Sequence, residues 1–322
     1  MSECPAPLSF GQIEEARARL AGRVHETAVL TSETLDARAG AHLYFKCEIF
    51  QKGGAFKARG ATNAVFALTE EQARAGVATH SSGNHAAALA RAARLRGIPA
   101  YIVMPDNTPE VKRAAVRRQG AQIRYCAPTL AAREAAAAEL VKGTGATLVH
   151  PFDNLFVMAG AGTVAAEFLA QVPQLEALLA PVGGGGLISG SAVAVRALKP
   201  GMRVIGVEPS GADDAARSFH SGTLQPMPDP HTIADGLRGA LAPSTFAEIR
   251  RGVDDILTVT DEAIVAAMRE LWEVLKVIVE PSGAVPYAAL RTGRDELRGR
   301  HVGIILSGGN LDLERLPWQA SG

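Results

Sequence analysis

The sequence predicts an α/β protein whose parallel strands are covered by helices, and three observations predict it. From Val77 onward, short apolar runs alternate with alanine- and charge-rich stretches of helical length. Several of those stretches are followed at once by a glycine. Three apolar runs also lead into polar turns that carry glycine. Residues 77–80 enter Ser81-Ser82-Gly83-Asn84-His85, 178–182 enter Gly183-Gly184-Gly185-Gly186, and 302–306 enter Ser307-Gly308-Gly309-Asn310. Alternating strands and helices imply crossover connections and a parallel sheet. Open sheets of this kind bind ligands at the carboxyl ends of their strands, so the three turns are expected to converge.

Taken in order, residues 9–21 pattern as an amphipathic helix, with Gly22 placed to end it. Residues 23–35 read as extended and polar, and 41–48 (AHLYFKCE) alternate as a strand. In 51–61 (QKGGAFKARGA) two glycines lead into a helix that ends near Leu68. Thr69-Glu70-Glu71-Gln72 has the form of a capping box, opening a short helix that stops at Gly76. Strands follow at 77–80, 100–104, 122–125 and 147–150. Helices separate them at 86–96, 110–119 and 131–142, stopped by Gly97, Gly120 and Gly143. A helix is expected at 158–169, the strand 178–182 next, a helix at 187–198 and a strand at 203–208. The three prolines in 221–232 make a loop, and 261–276 form a long helix after Thr260. Strand 302–306 is the last. There are no repeats, and a composition shift near Pro151 is the candidate domain junction.

Composition narrows the function classes. The 322 residues suffice for two modest domains, and 47% apolar with 20% charged residues allows a well-buried core. A formal net charge of zero argues against nucleic acid or an anionic membrane as the main partner. Cys4, Cys47 and Cys126 form no CxxC pair, which fits a reducing compartment and neither a disulfide framework nor a zinc site. No signal pattern opens the chain and no apolar run reaches the ~20 residues of a membrane span. The expectation is a cytoplasmic protein.

Four stretches carry chemistry. Lys57 falls at a helix start, where the partial positive charge disfavours a cation, and Arg59 adds a second cation nearby. Both effects favour the neutral amine, the form that attacks a carbonyl; otherwise Lys57 is an ordinary solvated lysine. The four glycines at 183–186 make an anion cradle between strand and helix. They match neither a dinucleotide fingerprint nor a nucleotide P-loop, so a single phosphomonoester fits best. Ser81, Ser82, Asn84 and His85 offer hydroxyls, an amide and helix N–H groups to a carboxylate, although Ser and Asn also serve as ordinary N-caps. Glu208, Asp214 and a backbone carbonyl between them could hold a hard cation, or simply begin an acidic helix.

These motifs together resemble the fold-type II pyridoxal-phosphate enzymes, in the branch of serine racemases and serine/threonine dehydratases. The resemblance runs from about Phe10 to Leu313. It rests on Ala55-Phe56-Lys57-Ala58-Arg59-Gly60-Ala61, Ser81-Ser82-Gly83-Asn84-His85, the tetraglycine turn and Ser307-Gly308-Gly309-Asn310. It implies the tryptophan synthase β-like fold, with a large domain of 1–74 and 154–322, a small domain of 75–153, and the cofactor in the cleft. It implies pyridoxal phosphate joined to Lys57, with Phe56 along the ring and Asn84 on the 3′-oxygen. Gly183, Gly184, Gly185 and Gly186 would hold the phosphate, and Ser307 the ring nitrogen. Ser81, Ser82, Asn84 and His85 would take the substrate carboxylate, and Ser82 would be the acid/base opposite Lys57. Glu208, the Ala212 carbonyl and Asp214 match the divalent-cation site (Mg²⁺, Mn²⁺ or Ca²⁺) of serine racemases.

Some positions depart from the pattern. Ala55 replaces a common serine, Phe152 stands where animal serine racemases carry asparagine, and Ala161 stands where glutamine is common. Glu280-Pro281-Ser282-Gly283 together with Gly54-Ala55-Phe56-Lys57 also resembles hydroxyaspartate dehydratases. The motif set ends shortly before Gly322, so isoleucine feedback through a further domain is not expected. The resulting expectation is a homodimeric dehydratase converting a β-hydroxy-α-amino acid to a 2-oxo acid and ammonia. The alternatives are a serine or aspartate racemase on the same scaffold, and a non-catalytic phosphate- or nucleotide-binding regulator, which would have no need of Lys57.

Overall fold

Ten strands fall into two sheets in the computed structural model, which describes residues 7–81, 83–291 and 293–319. In chain order they are β1 (Val29–Leu30), β2 (His42–Cys47), β3 (Val77–His80), β4 (Ala100–Pro105) and β5 (Gln122–Cys126). Then come β6 (Thr147–Leu148), β7 (Ala177–Pro181), β8 (Arg203–Pro209), β9 (Asp255–Val259) and β10 (His301–Leu306). One sheet has the order β1-β2-β10-β7-β8-β9 and the other β5-β4-β3-β6. All pairings are parallel except the edge pair β1–β2. The α/β class is as the sequence predicts. The second sheet draws all its strands from between Val77 and Leu148; the first takes strands from both sides of that stretch.

Register decides what the first sheet presents. Cys47 lies opposite Leu306, Ile304 opposite Leu179, and Pro181 opposite Val207. The segments leaving β2, β10, β7 and β8 therefore emerge side by side along one edge. They are the lysine segment, the Ser307 turn, the glycine turn and the Glu208 turn, in that order. β7 is buried along its whole length because helices cover both faces, which is why its sequence reads as a continuous apolar run.

Several helix ends follow their local chemistry. Ser9 and Gln12 close a capping box on helix Phe10–Leu20, and Thr69 and Gln72 do the same for Glu70–Ala75. Others depart from the reading above. The stretch taken as extended at 23–35 holds only the two residues of β1, then enters helix Glu33–Ala39, capped by Ser32 and closed by left-handed Gly40. Helix Leu130–Thr144 passes through Gly143 and stops at Gly145. Its alanine-rich run absorbs the ~1 kcal/mol cost of one interior glycine. Helices Pro243–Gly252 and Pro281–Ala288 and strand β9 were not anticipated. No described helix is long and apolar enough to cross a membrane.

Candidate active site

The lysine segment reaches the sheet edge through a backbone clasp. After β2 the chain makes a 3-10 turn at Glu48–Phe50, then passes Gly53 and Gly54, both at φ 73°. Ala55 forms an antiparallel bridge with Gly308, Phe56 N donates to Ser307 O (2.9 Å), and Gly309 N donates to Gly54 O (2.9 Å). Two stretches some 250 residues apart are thereby joined main chain to main chain. A side chain at Gly54 would be strained by its left-handed φ and would push aside the Asn310 amide, 2.7 Å from its Cβ, so the position calls for glycine.

Lys57 is the first residue of helix Lys57–Ala67. Its Nζ donates to Pro151 O (2.8 Å) and stands 5.0 Å from the Phe56 ring centroid. Solvent still touches the side chain, but burial of the amine pushes its pKa from 10.5 down to about 8. The cause differs from the one expected from sequence. Arg59 is not a loose second cation beside it. The Arg59 guanidinium is buried and forks onto Glu48 (2.7 and 2.8 Å) and Glu167 (2.8 and 2.9 Å). Its charge is neutralised there, and desolvation alone favours the neutral amine.

The glycine turn leaves β7, two strands along the same edge from β2. Gly185 is left-handed (φ 86°) and Gly186 begins helix Gly186–Leu198. The N–H groups of the turn therefore stand at a helix N-terminus, where an anion is favoured. No position in the turn has room for a side chain. A Cβ would lie 2.9 Å from Leu237 Cα at Gly183 and 2.8 Å from Leu241 Cδ2 at Gly185. At Gly184 and Gly186 it would meet Phe152. This is a cradle built from main chain, of the kind a phosphate needs.

The third turn is partly described, since Ser82 lies outside the described residues. Gly83 N donates to Ser81 Oγ (3.4 Å). Helix Asn84–Arg96 starts two residues earlier than read, which puts Asn84 and His85 in its first turn. Asn84 Nδ2 donates to Glu280 Oε1 (2.9 Å) and its Oδ1 accepts from Asn310 Nδ2 (3.0 Å). His85 is buried and its Nε2 lies 3.2 Å from Val149 O, so Nε2 carries the hydrogen. Burial, then the Lys57 charge, push this imidazole down to about 3, so it is neutral with a bare Nδ1. A bare acceptor cannot receive a carboxylate. What His85 has to offer is its main-chain N–H in the first helical turn.

Other groups here were not singled out individually in the sequence. The Glu280 carboxyl accepts from Asn84 and from Asn310 N (3.1 Å); burial, then the nearby Asp235, raise its pKa to about 8. Its only sequence signal is the Glu-Pro-Ser-Gly run. His150 stacks edge-on against Phe152 (4.6 Å) and near His80 (5.2 Å), and burial, then His80, push it down to about 4. It was read as the end of a strand, but β6 stops at Leu148.

One strand beyond the glycine turn, Glu208 accepts from Ala215 N (3.3 Å) and Ala216 N (2.8 Å). Asp214 Oδ2 accepts from Leu241 N (2.8 Å), while Oδ1 is buried with no partner among the described residues. Burial raises the pKa of both carboxyls, Glu208 well above its ordinary value and Asp214 to about 6. Among the described residues no three His, Cys, Asp or Glu side chains cluster as a metal site. Any cation here would need main-chain oxygen as well.

Residues 20–308 match the family described as "Pyridoxal-phosphate dependent enzyme". The chain is 50% identical to serine racemase of Oryza sativa subsp. indica over 315 residues, 96% of this chain and 92% of that one. It is 46% identical to β-hydroxyaspartate dehydratase of Paracoccus denitrificans over 303 residues, 94% of this chain and 96% of that one. Among solved structures, maize serine racemase superposes with a TM-score of 0.93 at 47% identity, covering 96% of this chain and 95% of that one.

Proposed function

Because the chain belongs to the pyridoxal-phosphate dependent enzyme family, we propose that it is an ammonia-lyase that dehydrates a β-hydroxy-α-amino acid to a 2-oxo acid and ammonia. The observation that carries this reading is the amine of Lys57. It is lowered to about 8 and held on Pro151 O, at the same sheet edge as the Ser307 turn and the glycine cradle. In this reading Lys57 is the attachment point and the glycine turn holds the phosphate. Ser307 faces the ring nitrogen, Asn84 the 3′-oxygen and Phe56 the ring. The cofactor, when bound, supplies the electron sink that lets a Cα–H bond ionise. The same reading divides the chain into a large domain of 1–74 and 154–322 and a small domain of 75–153.

Each residue then has a definite task. The neutral Lys57 amine takes the Cα proton, as a base within reach. Ser81 and the N–H groups at the start of helix Asn84–Arg96 hold the carboxylate, and Ser82 shares that task. The β-hydroxyl leaves as water, and hydrolysis of the remaining enamine gives the oxo acid and ammonia. Ser307, a neutral hydroxyl, cannot encourage protonation of the ring nitrogen as a carboxylate would. Delocalisation is thus weaker and prompt loss of the β-group is favoured. A second reading, an amino-acid racemase, is favoured by the likeness to the Oryza and maize racemases. It requires an acid/base on the face opposite Lys57, the role assigned to Ser82. Oxo-acid release and chiral chromatography over both enantiomers of serine, threonine, phenylserine and 3-hydroxyaspartate separate the two. Oxo acid is expected from at least one of them. Racemisation with no oxo acid from any would overturn the lyase reading.

The same reading gives Glu208, the Ala212 carbonyl and Asp214 to a divalent cation. The unpartnered Asp214 Oδ1 and the burial-raised pKa values of both acids fit a missing positive charge. Chelator should lower the melting temperature, and Mg²⁺, Mn²⁺ or Ca²⁺ should restore it. At a hundredfold excess over Kd the gain is about 2.7 kcal/mol. A melting temperature indifferent to both would remove the cation from the account.

A further inference from the structure

Helix Leu155–Gln171 touches both helices that carry the ends of the site, and on both sides the contact is backbone to backbone. On one side is helix Lys57–Ala67. A Cβ at Gly60 would lie 2.7 Å from Val157 O, and one at Gly160 would lie 2.7 Å from both Gly60 Cα and Arg59 O. On the other side is helix Gly186–Leu198. A Cβ at Gly162 would lie 2.7 Å from Gly190 O, and one at Gly190 would lie 2.6 Å from Gly162 N. No other residue tolerates such approaches, so these glycines hold both helices closer than a side chain allows. Arg59 adds a lock on the first side only. Its guanidinium reaches Glu167 and Thr163 Oγ1 (3.3 Å), both on the central helix. Lys57 begins one outer helix, and the glycine turn runs into the start of the other.

We infer that Gly160 and Gly162, with the Arg59–Glu167 pair, are positioning residues that set the span between the Lys57 amine and the anion cradle to the length of one cofactor. The inference rests on the assignment of Lys57 and the glycine turn as the two attachment points. A ligand held at two points gains from both only when the span fits, whereas a ligand held at one point is indifferent to it. The interior is close-packed, so an added methyl at either contact must displace a whole helix.

The test compares pyridoxal phosphate with pyridoxal, which lacks the phosphate. The full-length protein, stripped of cofactor, is titrated with each, and the adduct is fixed with borohydride and mapped. Gly162→Ala moves the glycine-turn helix and leaves the Lys57 helix in place. Its affinity for pyridoxal phosphate should fall at least about tenfold, with pyridoxal changed less than about twofold. Arg59→Lys acts on the other contact and should lower the same ratio by a smaller factor. Ala166→Gly, at a buried position of the central helix, should lower the melting temperature and leave the ratio unchanged. An unchanged ratio in Gly162→Ala and Arg59→Lys overturns the inference. So does an equal change in Ala166→Gly. If Gly162→Ala does not fold, Arg59→Lys decides. Failure of the underlying assignment shows earlier and separately, as wild-type protein that forms no adduct at Lys57, and it sinks both.

Discussion

Lys57→Ala should abolish covalent capture of pyridoxal phosphate and lower turnover by on the order of 10²–10⁴-fold, the range of a lost general base. The wild-type amine also has a signature in pH. Its folded pKa is depressed to about 8, so its neutral form gains as pH rises through that value. Capture by the stripped protein should rise between about pH 6 and 8 and level off above 9. An ordinary lysine, near 10.4, would still be under about 1% neutral at pH 8. The sign for stability runs the same way: a cationic Lys57 is the disfavoured form in the fold, so its penalty is relieved as pH climbs from 8 toward 10.5. A capture rate still climbing at pH 10.5 would mean that the amine is not desolvated as described.

Arg59→Met should destabilise the protein by about 3–5 kcal/mol, the cost of removing one partner from a buried ion pair. Glu48 is fully buried and, among the described residues, keeps only the Thr27 hydroxyl (2.7 Å) after the substitution. Glu167 fares better, because Lys46 Nζ stays 2.6 Å away. Burial works against the charges on both Arg59 and Glu167, yet Glu48, then Glu167, hold Arg59 in its ionised form, and Arg59, then Lys46, do the same for Glu167. Adding Glu48→Gln to Arg59→Met should recover part of the loss, since the charge left unpaired is then gone. Urea unfolding midpoints measure both. A single substitution costing under about 1 kcal/mol would show that the cluster is not a fully desolvated network.

Legibility in the sequence followed the locality of each signal. Strand, glycine turn and helix at 178–198 are adjacent in the chain, and the turn's glycines are unusual enough to declare a cradle. The Ser307 turn was legible for the same reason. Helix Glu33–Ala39 was missed although Ser32 and Gly40 bracket it, because seven residues give too short a period to outweigh a polar stretch. Arg59 was misread because its partners stand 11 residues before it and 108 after it. Reading only its neighbour Lys57 turned a neutralised charge into a cause. That the His85 ring is engaged with Val149 O, leaving only the main-chain N–H for a ligand, has no signal in the sequence, because the two residues stand 64 positions apart. Gly160 and Gly162 gave no sign of their roles, since small residues in an apolar helix look alike whether they face a backbone or a side chain.

Borohydride reduction of the protein loaded with pyridoxal phosphate, followed by peptide mapping, tests the central claim most directly. The account predicts one pyridoxyl group per chain, on the peptide carrying Gly54-Ala55-Phe56-Lys57, with fragment ions placing it on Lys57. Adduct on Lys46, Lys52 or any other lysine, or a protein that takes up no cofactor, would contradict it.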